Sequence, residues 1–250
     1  MPSFPDEFSK QSATYAQFRP TYPLALYEFL SGIAPGHDAA WDAGTGNGQC
    51  AAALADYFAW VHATDPSAEQ IRHATPRPNI HYAVKAAEES DLSDHSVDLI
   101  TAAQAAHWFD FPRFIPQVRR ILKPGGVIAL WGYSFHTSRD AALNAVMHEF
   151  GENILGPYWP PQNRFLWNGY ADLPFPFEAI PHPDFTLTVA WSLEELCGYY
   201  SSWSATQKFI AANHHHPLRD IYERMAAAWG APERKHPLNF DIHMRVGRVS

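Results

Sequence analysis

Residues 41–49 read Trp-Asp-Ala-Gly-Thr-Gly-Asn-Gly-Gln, and no other stretch constrains this chain as strongly. The residues leading to Asp42 have the apolar character of a buried strand end, and 49–58 that of an amphipathic helix. Between them Gly44, Gly46 and Gly48 stand at alternate positions. Glycine admits positive φ and lets another group approach a backbone that carries no Cβ. A strand-to-helix turn built this way directs N–H groups at a helix N-terminus into the crevice where open α/β sheets hold nucleotide-like ligands. The spacing narrows the choice. A dinucleotide fingerprint needs a small residue where Gln49 stands, because helix and strand pack closely there. Here the third glycine comes one position early, which argues against a nicotinamide-dependent oxidoreductase.

A second feature lies about 20 residues further on. Residues 61–65, Val-His-Ala-Thr-Asp, read as the next strand and end in a carboxylate. A doubly wound fold places there the acid that bonds a ribose hydroxyl. Asp65 is equally suited to cap a helix starting near Pro66 and Ser67, and one carboxylate can serve both roles.

The rest of the chain alternates in kind. A helix is predicted over 24–33 with Pro23 in its first turn. Strands are predicted over 79–84, 96–103 and 127–131, with a helix over 114–122 ended by Lys123-Pro124-Gly125-Gly126. Alternating strands and helices imply a mostly parallel sheet with right-handed crossovers. Past Gly132 the pattern changes. Helical spacing runs over 139–154, a Pro- and Trp-rich loop over 156–183, and an alternating strand over 185–191. Ser192 and Glu195 have capping-box spacing, 217–229 reads as a helix, and Phe240, Ile242, Met244 and Val246 mark a last strand.

Composition bounds the partners. Net charge is 18 − 26 = −8, which argues against a phosphate backbone as the main partner. No apolar run approaches the roughly 18 residues of a membrane span, and the N-terminus lacks a basic-then-apolar leader pattern, so a cytoplasmic location is expected. Cys50 and Cys197 both fall on predicted helices and suggest no disulfide framework. No His or Cys pair has zinc spacing; His214, His215 and His216 read as a helix end before Pro217, and no metal is expected. The chain has 9 Trp, 16 Phe and 21 Pro, many of them in the second half, which suits an aromatic-lined cap better than a charged interaction surface.

Taken together, Asp42 to Gly48, Asp65, Ala87-Glu88, the strand 96–101, Gln104-Ala105-Ala106-His107-Trp108-Phe109 and Leu122 to Gly126 fall in the order and at the intervals of one family. The chain resembles class I S-adenosylmethionine-dependent methyltransferases of the ubiquinone-biosynthesis type. The Gln-Ala-x-His-Trp-Phe and Arg-Pro-x-Tyr-Pro segments resemble the trans-aconitate methyltransferase-like branch. Lys85 departs from the pattern, standing where a glycine is usual before Ala-Glu.

The resemblance implies an α/β, Rossmann-like, doubly wound and mostly parallel seven-stranded sheet, with an aromatic-rich cap inserted in the C-terminal half. Within a single domain spanning 1–250, residues 1–35 would form an arm and helix over the cofactor site, 36–133 the cofactor-binding core, 134–239 the cap and substrate region, and 240–249 the last strand. S-adenosylmethionine is the implied cofactor. Its carboxylate would meet Arg19 and the N–H groups of Gly44, Thr45 and Gly46, beside Asp42. Asp65 would hold the ribose, with Pro66, Ala87 and Glu88 lining the adenine and Gln104 the methionine end. Tyr15 and Trp108 would offer aromatic faces to the sulfonium. His107 is the candidate base, with a packed, pocket-shaping histidine as the alternative. Trp131, Tyr133 and Trp203 would line the acceptor pocket. The expected reaction is methyl transfer to a small molecule, with a carboxylate or hydroxyl as candidate acceptor. The competing expectation is a cofactor-binding protein of this fold that acts as a partner subunit without catalysis. Oligomeric state is left open by the sequence.

Overall fold

The structure is a computed structural model and describes residues 20–249. In chain order its elements begin with α1 (Leu24–Ile33), β1 (Ala39–Ala43), α2 (Gln49–Leu54), β2 (Trp60–Asp65), α3 (Ala68–Arg72) and β3 (Ile80–Val84). They continue with β4 (Val97–Ala103), α4 (Phe111–Ile121), β5 (Leu122–Tyr133), α5 (Ala141–His148) and α6 (Asn163–Trp167). The last are β6 (Glu178–Ala179), β7 (Phe185–Trp191), α7 (Leu193–Ser201), α8 (Ser204–Asn213), α9 (Tyr222–Trp229) and β8 (His236–Arg248).

The sheet runs β3-β2-β1-β4-β5-β8, with β6 and β7 sharing the outer edge of β8. Its eight strands therefore occupy seven positions. The first five strands are parallel, and β8 runs antiparallel to β5. From β1 the chain winds outward through β2 and β3, then returns to place β4 on the other side of β1. That reversal opens a crevice at the carboxyl ends of β1 and β4, where a doubly wound sheet takes its ligand.

Strand alternation sorts the side chains into two cores. Ala40, Leu99, Ala129 and Trp131 face one side, against Leu26 and Leu30 of α1 and Leu54 of α2. Trp41, Ile100, Ile128 and Leu130 face the other, against Phe114, Val118 and Ile121 of α4. Both faces of the parallel strands are thus covered, which is why β1 and β4 read as nearly unbroken apolar runs.

Several boundaries move for local reasons. Helix α2 stops at Leu54 rather than 58, because Asp56 N and Tyr57 N reach back only three residues, to Ala53 O and Leu54 O. Strand β5 begins at Leu122, inside the segment expected to end the preceding helix; Leu122 already pairs with Val97, and the register shifts before Val127 meets Leu99. The predicted helix 217–229 splits into a 3-10 turn at Pro217–Asp220 and α9. The capping box at α7 forms as expected, with Ser192 Oγ accepting from Glu195 N and Ser192 N donating to Glu195 Oε2 at 2.7 Å. Strand β7 covers 185–191 as predicted. Among the described residues no helix is long and apolar enough to cross a membrane.

The aromatic residues between β5 and β8 pack largely on one another. Phe135, Trp159 and Trp203 meet at ring separations of 5.1–6.0 Å, and Phe150, Tyr200 and Trp203 at 4.6–6.2 Å. This mass lies mainly against the core face carrying Trp131 and Tyr133.

Candidate active site

A cavity of about 450 Å³ lies at the carboxyl ends of β1 to β5. Its walls come from the glycine turn after β1, Asp65 and Pro66 after β2, Ala86 to Glu88 after β3, Ala103 to Ala105 at the end of β4, and Tyr133 at the end of β5. The glycine turn shapes one wall by close approach. At Gly44, φ is +69° and an added Cβ would stand 2.6 Å from that of Ala105. No other residue type fits there without moving the strand β4 end.

The turn is pinned from below and from the side. Asp42 is fully buried and accepts hydrogen bonds from Thr45 Oγ1 at 2.6 Å and Thr101 Oγ1 at 2.8 Å. Burial pushes its carboxyl pKa up, and those hydroxyls oppose the shift. Gly44 N and Thr45 N both donate to Thr64 O, at 2.8 and 2.9 Å, and Gly46 N donates to Asp65 Oδ2 at 2.9 Å. This corrects the expectation that these three N–H groups receive an anion: β2 already uses them. Asp65 Oδ1 accepts from Ser67 N at 2.9 Å. The side-chain cap of α3 is Ser67, whose Oγ accepts from Gln70 N. Asp65 therefore ties the glycine turn to the α3 approach while its carboxylate stays on the cavity wall.

On the far wall, Glu88 Oε1 accepts from Asp110 N at 2.7 Å, which holds the Ala87–Glu89 turn against the start of α4. Gln104 has φ +54°, and its amide pairs with the main chain of Tyr133 as a strand would: Nε2 donates to Tyr133 O at 3.1 Å and Oε1 accepts from Tyr133 N at 3.0 Å. Gly132 makes room for this pairing. A Cβ there would lie 2.3 Å from Gln104 Oε1 and 2.4 Å from Leu166 Cδ1.

Residues 41–130 match a family model described as a methyltransferase domain. A Dictyostelium discoideum protein named as a methyltransferase is 36% identical over 251 residues, spanning 98% of this chain and 95% of its own length. A solved structure from Anaeromyxobacter dehalogenans, named as a type II methyltransferase, superposes with a TM-score of 0.86 at 39% identity, covering 92% of this chain and 98% of its own. This chain belongs to the class I S-adenosylmethionine-dependent methyltransferases. A Saccharomyces cerevisiae protein named for dependence on that donor is 31% identical over 174 residues, which are 64% of this chain and 60% of its own.

The methyltransferase cavity suits S-adenosylmethionine in size and in chemistry. Small-molecule sites typically measure about 300–1,000 Å³ and combine apolar walls with a few polar groups. Here Tyr22, Trp108, Phe109 and Tyr133 supply rings, and Asp65, Glu88 and Gln70 supply polar side chains. Gln70 Oε1 is buried and has no hydrogen-bond partner among the described residues.

Of the residues expected at the site, Asp42, Gly44, Thr45, Gly46, Asp65, Pro66, Ala87, Glu88, Gln104, Trp108 and Tyr133 all line the methyltransferase cavity. His107 does not. Its Nδ1 lies 3.2 Å from Tyr170 Oη, with the two rings stacked at 6.2 Å. Trp131 is fully buried, 5.6 Å from Tyr22 and 6.5 Å from Tyr27, and Trp203 is packed against Tyr200 and Trp159. Neither is on the wall, and no residue of 134–239 is. The cap's aromatic surplus is consumed by its own core instead. Tyr15 and Arg19 lie outside the described residues. Residues the sequence reading passed over include Tyr22, Gln49, Gln70 and Phe109. Tyr22 and Phe109 sat within recognised segments, but Gln70 carried no signal beyond its place one turn after Asp65.

Proposed function

We propose that the enzyme methylates a small-molecule acid at a carboxylate oxygen. S-adenosylmethionine supplies an electrophilic methyl carbon on a positively charged sulfur. Asp65, on the cavity wall and held in place by Gly46 N and Ser67 N, would bind the ribose hydroxyls. Pro66, Ala87 and Glu88 would flank the adenine, with the Glu88 hydrogen bond to Asp110 keeping that wall closed. Gln104, Tyr133, Tyr22 and Trp108 would frame the reacting end. Ring faces there favour a neighbouring cation by about 0.5–2 kcal/mol. Rate enhancement in such a displacement comes chiefly from holding the reacting atoms collinear and about 3 Å apart, and the doubly bonded Gln104–Tyr133 pair is a rigid frame for that purpose.

One observation supports a carboxylate over a hydroxyl or amine. Among the described residues the wall at the Gln104–Tyr133 end carries phenols and an amide, while His107 is turned to Tyr170. An acceptor that must lose a proton needs a base nearby, whereas a carboxylate does not. The cavity's size and the chain's net charge of −8 favour a small acceptor over nucleic acid.

The test is a screen with labelled S-adenosylmethionine against small carboxylic acids, phenols and amines, read by mass spectrometry. Base-labile methyl esters are expected, with turnover flat from about pH 6 to 9 because the acceptor is already ionised. Methylation confined to phenols, amines or a macromolecule would overturn the proposal.

A further inference from the structure

The cap buries most of its aromatic surface, but not that of Trp167, which is 43% exposed. Its ring is stacked on that of Phe135, 6.0 Å away at 24°, and meets Trp159 edge-on at 6.1 Å. Phe135 and Trp159 are themselves only half-buried, so the three rings form one contiguous patch, unlike a lone surface tryptophan. The backbone beneath them is unusual. A π-helical turn covers Glu149–Ile154, with Leu155 N donating to Phe150 O five residues back. It sets Gly151 against Phe135, where an added Cβ would stand 2.7 Å from Phe135 Cε1. Gly151 O in turn accepts from Trp159 Nε1 at 2.8 Å. Turns of this kind are rare and are found frequently at functional sites.

Helix α6 fixes where the patch lies. Leu166 is buried in the core that holds Trp41 and Leu130, and a Cβ on Gly132 would meet both Leu166 Cδ1 and Gln104 Oε1. The next residue, Trp167, stacks on Phe135, which packs against the opposite core. The helix therefore crosses the carboxyl end of β5, where the Gln104–Tyr133 pair forms one end of the cavity. Phe135 follows Tyr133 by two residues, at most about 7 Å of chain. The exposed rings thus stand at the rim of the reacting end and extend its apolar wall outward.

We infer that the Trp167–Phe135 stack seats an aromatic ring of the acceptor, so that the enzyme takes aryl acids with a short chain between ring and carboxylate. The inference rests on the carboxylate reading above for the group that is methylated, and on the ring stack for the rest of the molecule. A spacer of one or two carbons bridges the short step from Tyr133 to Phe135. Trp167 determines specificity in this scheme and takes no part in moving the methyl group.

The acids 3-phenylpropionate and 3-cyclohexylpropionate share a chain and a carboxylate and differ in the aromaticity of the ring. Initial rates of methyl transfer to each give a selectivity ratio in kcat/KM. The wild type should prefer the aryl acid about three- to tenfold, the range of one aromatic contact. Trp167→Leu keeps apolar bulk without the ring and should abolish that preference, chiefly through KM; Trp167→Phe should restore most of it. The same ratio in wild type and Leu variant overturns the inference, and means that Trp167 serves only the fold. Calorimetry of both acids with protein saturated in S-adenosylhomocysteine repeats the comparison without turnover. An aryl acid that binds through Trp167 but is not methylated would sustain the ring seat and refute the carboxylate reading. Methylation of both acids with no dependence on Trp167 would do the reverse. If the Leu variant does not fold, equal affinity of the wild type for the two acids carries the same refutation, as does failure of the aryl acid to bind at all.

Discussion

His136 makes a pH-dependent prediction whose size follows from its surroundings. It stands just past β5, 5% exposed, with Nε2 3.0 Å from Tyr200 Oη and its ring 5.0 Å from Phe240 and 5.5 Å from Tyr200. Its Nδ1 has no partner among the described residues. A proton there would place a charge inside an aromatic cluster, and burial pushes the imidazole pKa from the usual 6.5 down to about 3. The folded chain therefore keeps His136 neutral, while the unfolded chain protonates it below about pH 6.5. The resulting stability is fully present above that value and is lost as pH falls toward 3. Linkage puts the loss between pH 8 and pH 5 at about 2 kcal/mol. His136→Gln keeps a hydrogen-bonding group for Tyr200 and removes the titration. Urea unfolding of both proteins at pH 8 and pH 5 isolates the effect, since every other titrating group is common to both. The wild type should lose about 2 kcal/mol more than the variant over that interval. Equal losses within about 0.5 kcal/mol would show that the ring is solvated, and the packing of this cluster would need revision.

Other perturbations bear on the site and its frame. Asp65→Ala should weaken S-adenosylhomocysteine binding by about 1.5–3 kcal/mol, since bonds to a charged group are lost; an affinity within about twofold of wild type in an intact fold would assign Asp65 to the turn alone. Gly132→Ala forces a methyl into Gln104 Oε1 and Leu166, and should cost about 1–3 kcal/mol in thermal unfolding together with a rise in acceptor KM. Unaltered stability would mean that the Gln104–Tyr133 pair gives way freely. Asp98 is buried and accepts from Asp38 N, Ala39 N and Lys123 Nζ at 2.9–3.1 Å. Asp98→Ala should destabilise by about 1.5–3 kcal/mol in urea titration, because Asp38 N and Ala39 N lose a charged acceptor while Lys123 keeps Asp38 as a partner. A change under about 1 kcal/mol would show that water replaces the carboxylate.

What the sequence by itself determined was everything that local pattern can carry. Three glycines at alternate positions are compatible with little except a tight turn between β1 and α2, and Asp65 at the end of an apolar run could only sit at a strand's carboxyl end. The capping box at Ser192 and the alternation over 185–191 are legible for the same reason: their partners lie within a few residues or follow a fixed period. The tertiary structure decided where the shared groups are spent. Thr64 O takes the N–H groups of Gly44 and Thr45, and Asp65 takes that of Gly46, so the turn binds β2 where an open anion cradle was expected. Gln104 is locked to Tyr133, His107 faces Tyr170, and Trp131 and Trp203 are buried in the core while Gln70 reaches the cavity. Each of these is a choice between competing partners far apart in the chain. Hydrogen-bond donors and aromatic faces are not committed by residue type, and only packing brings the winning partner within a few ångströms.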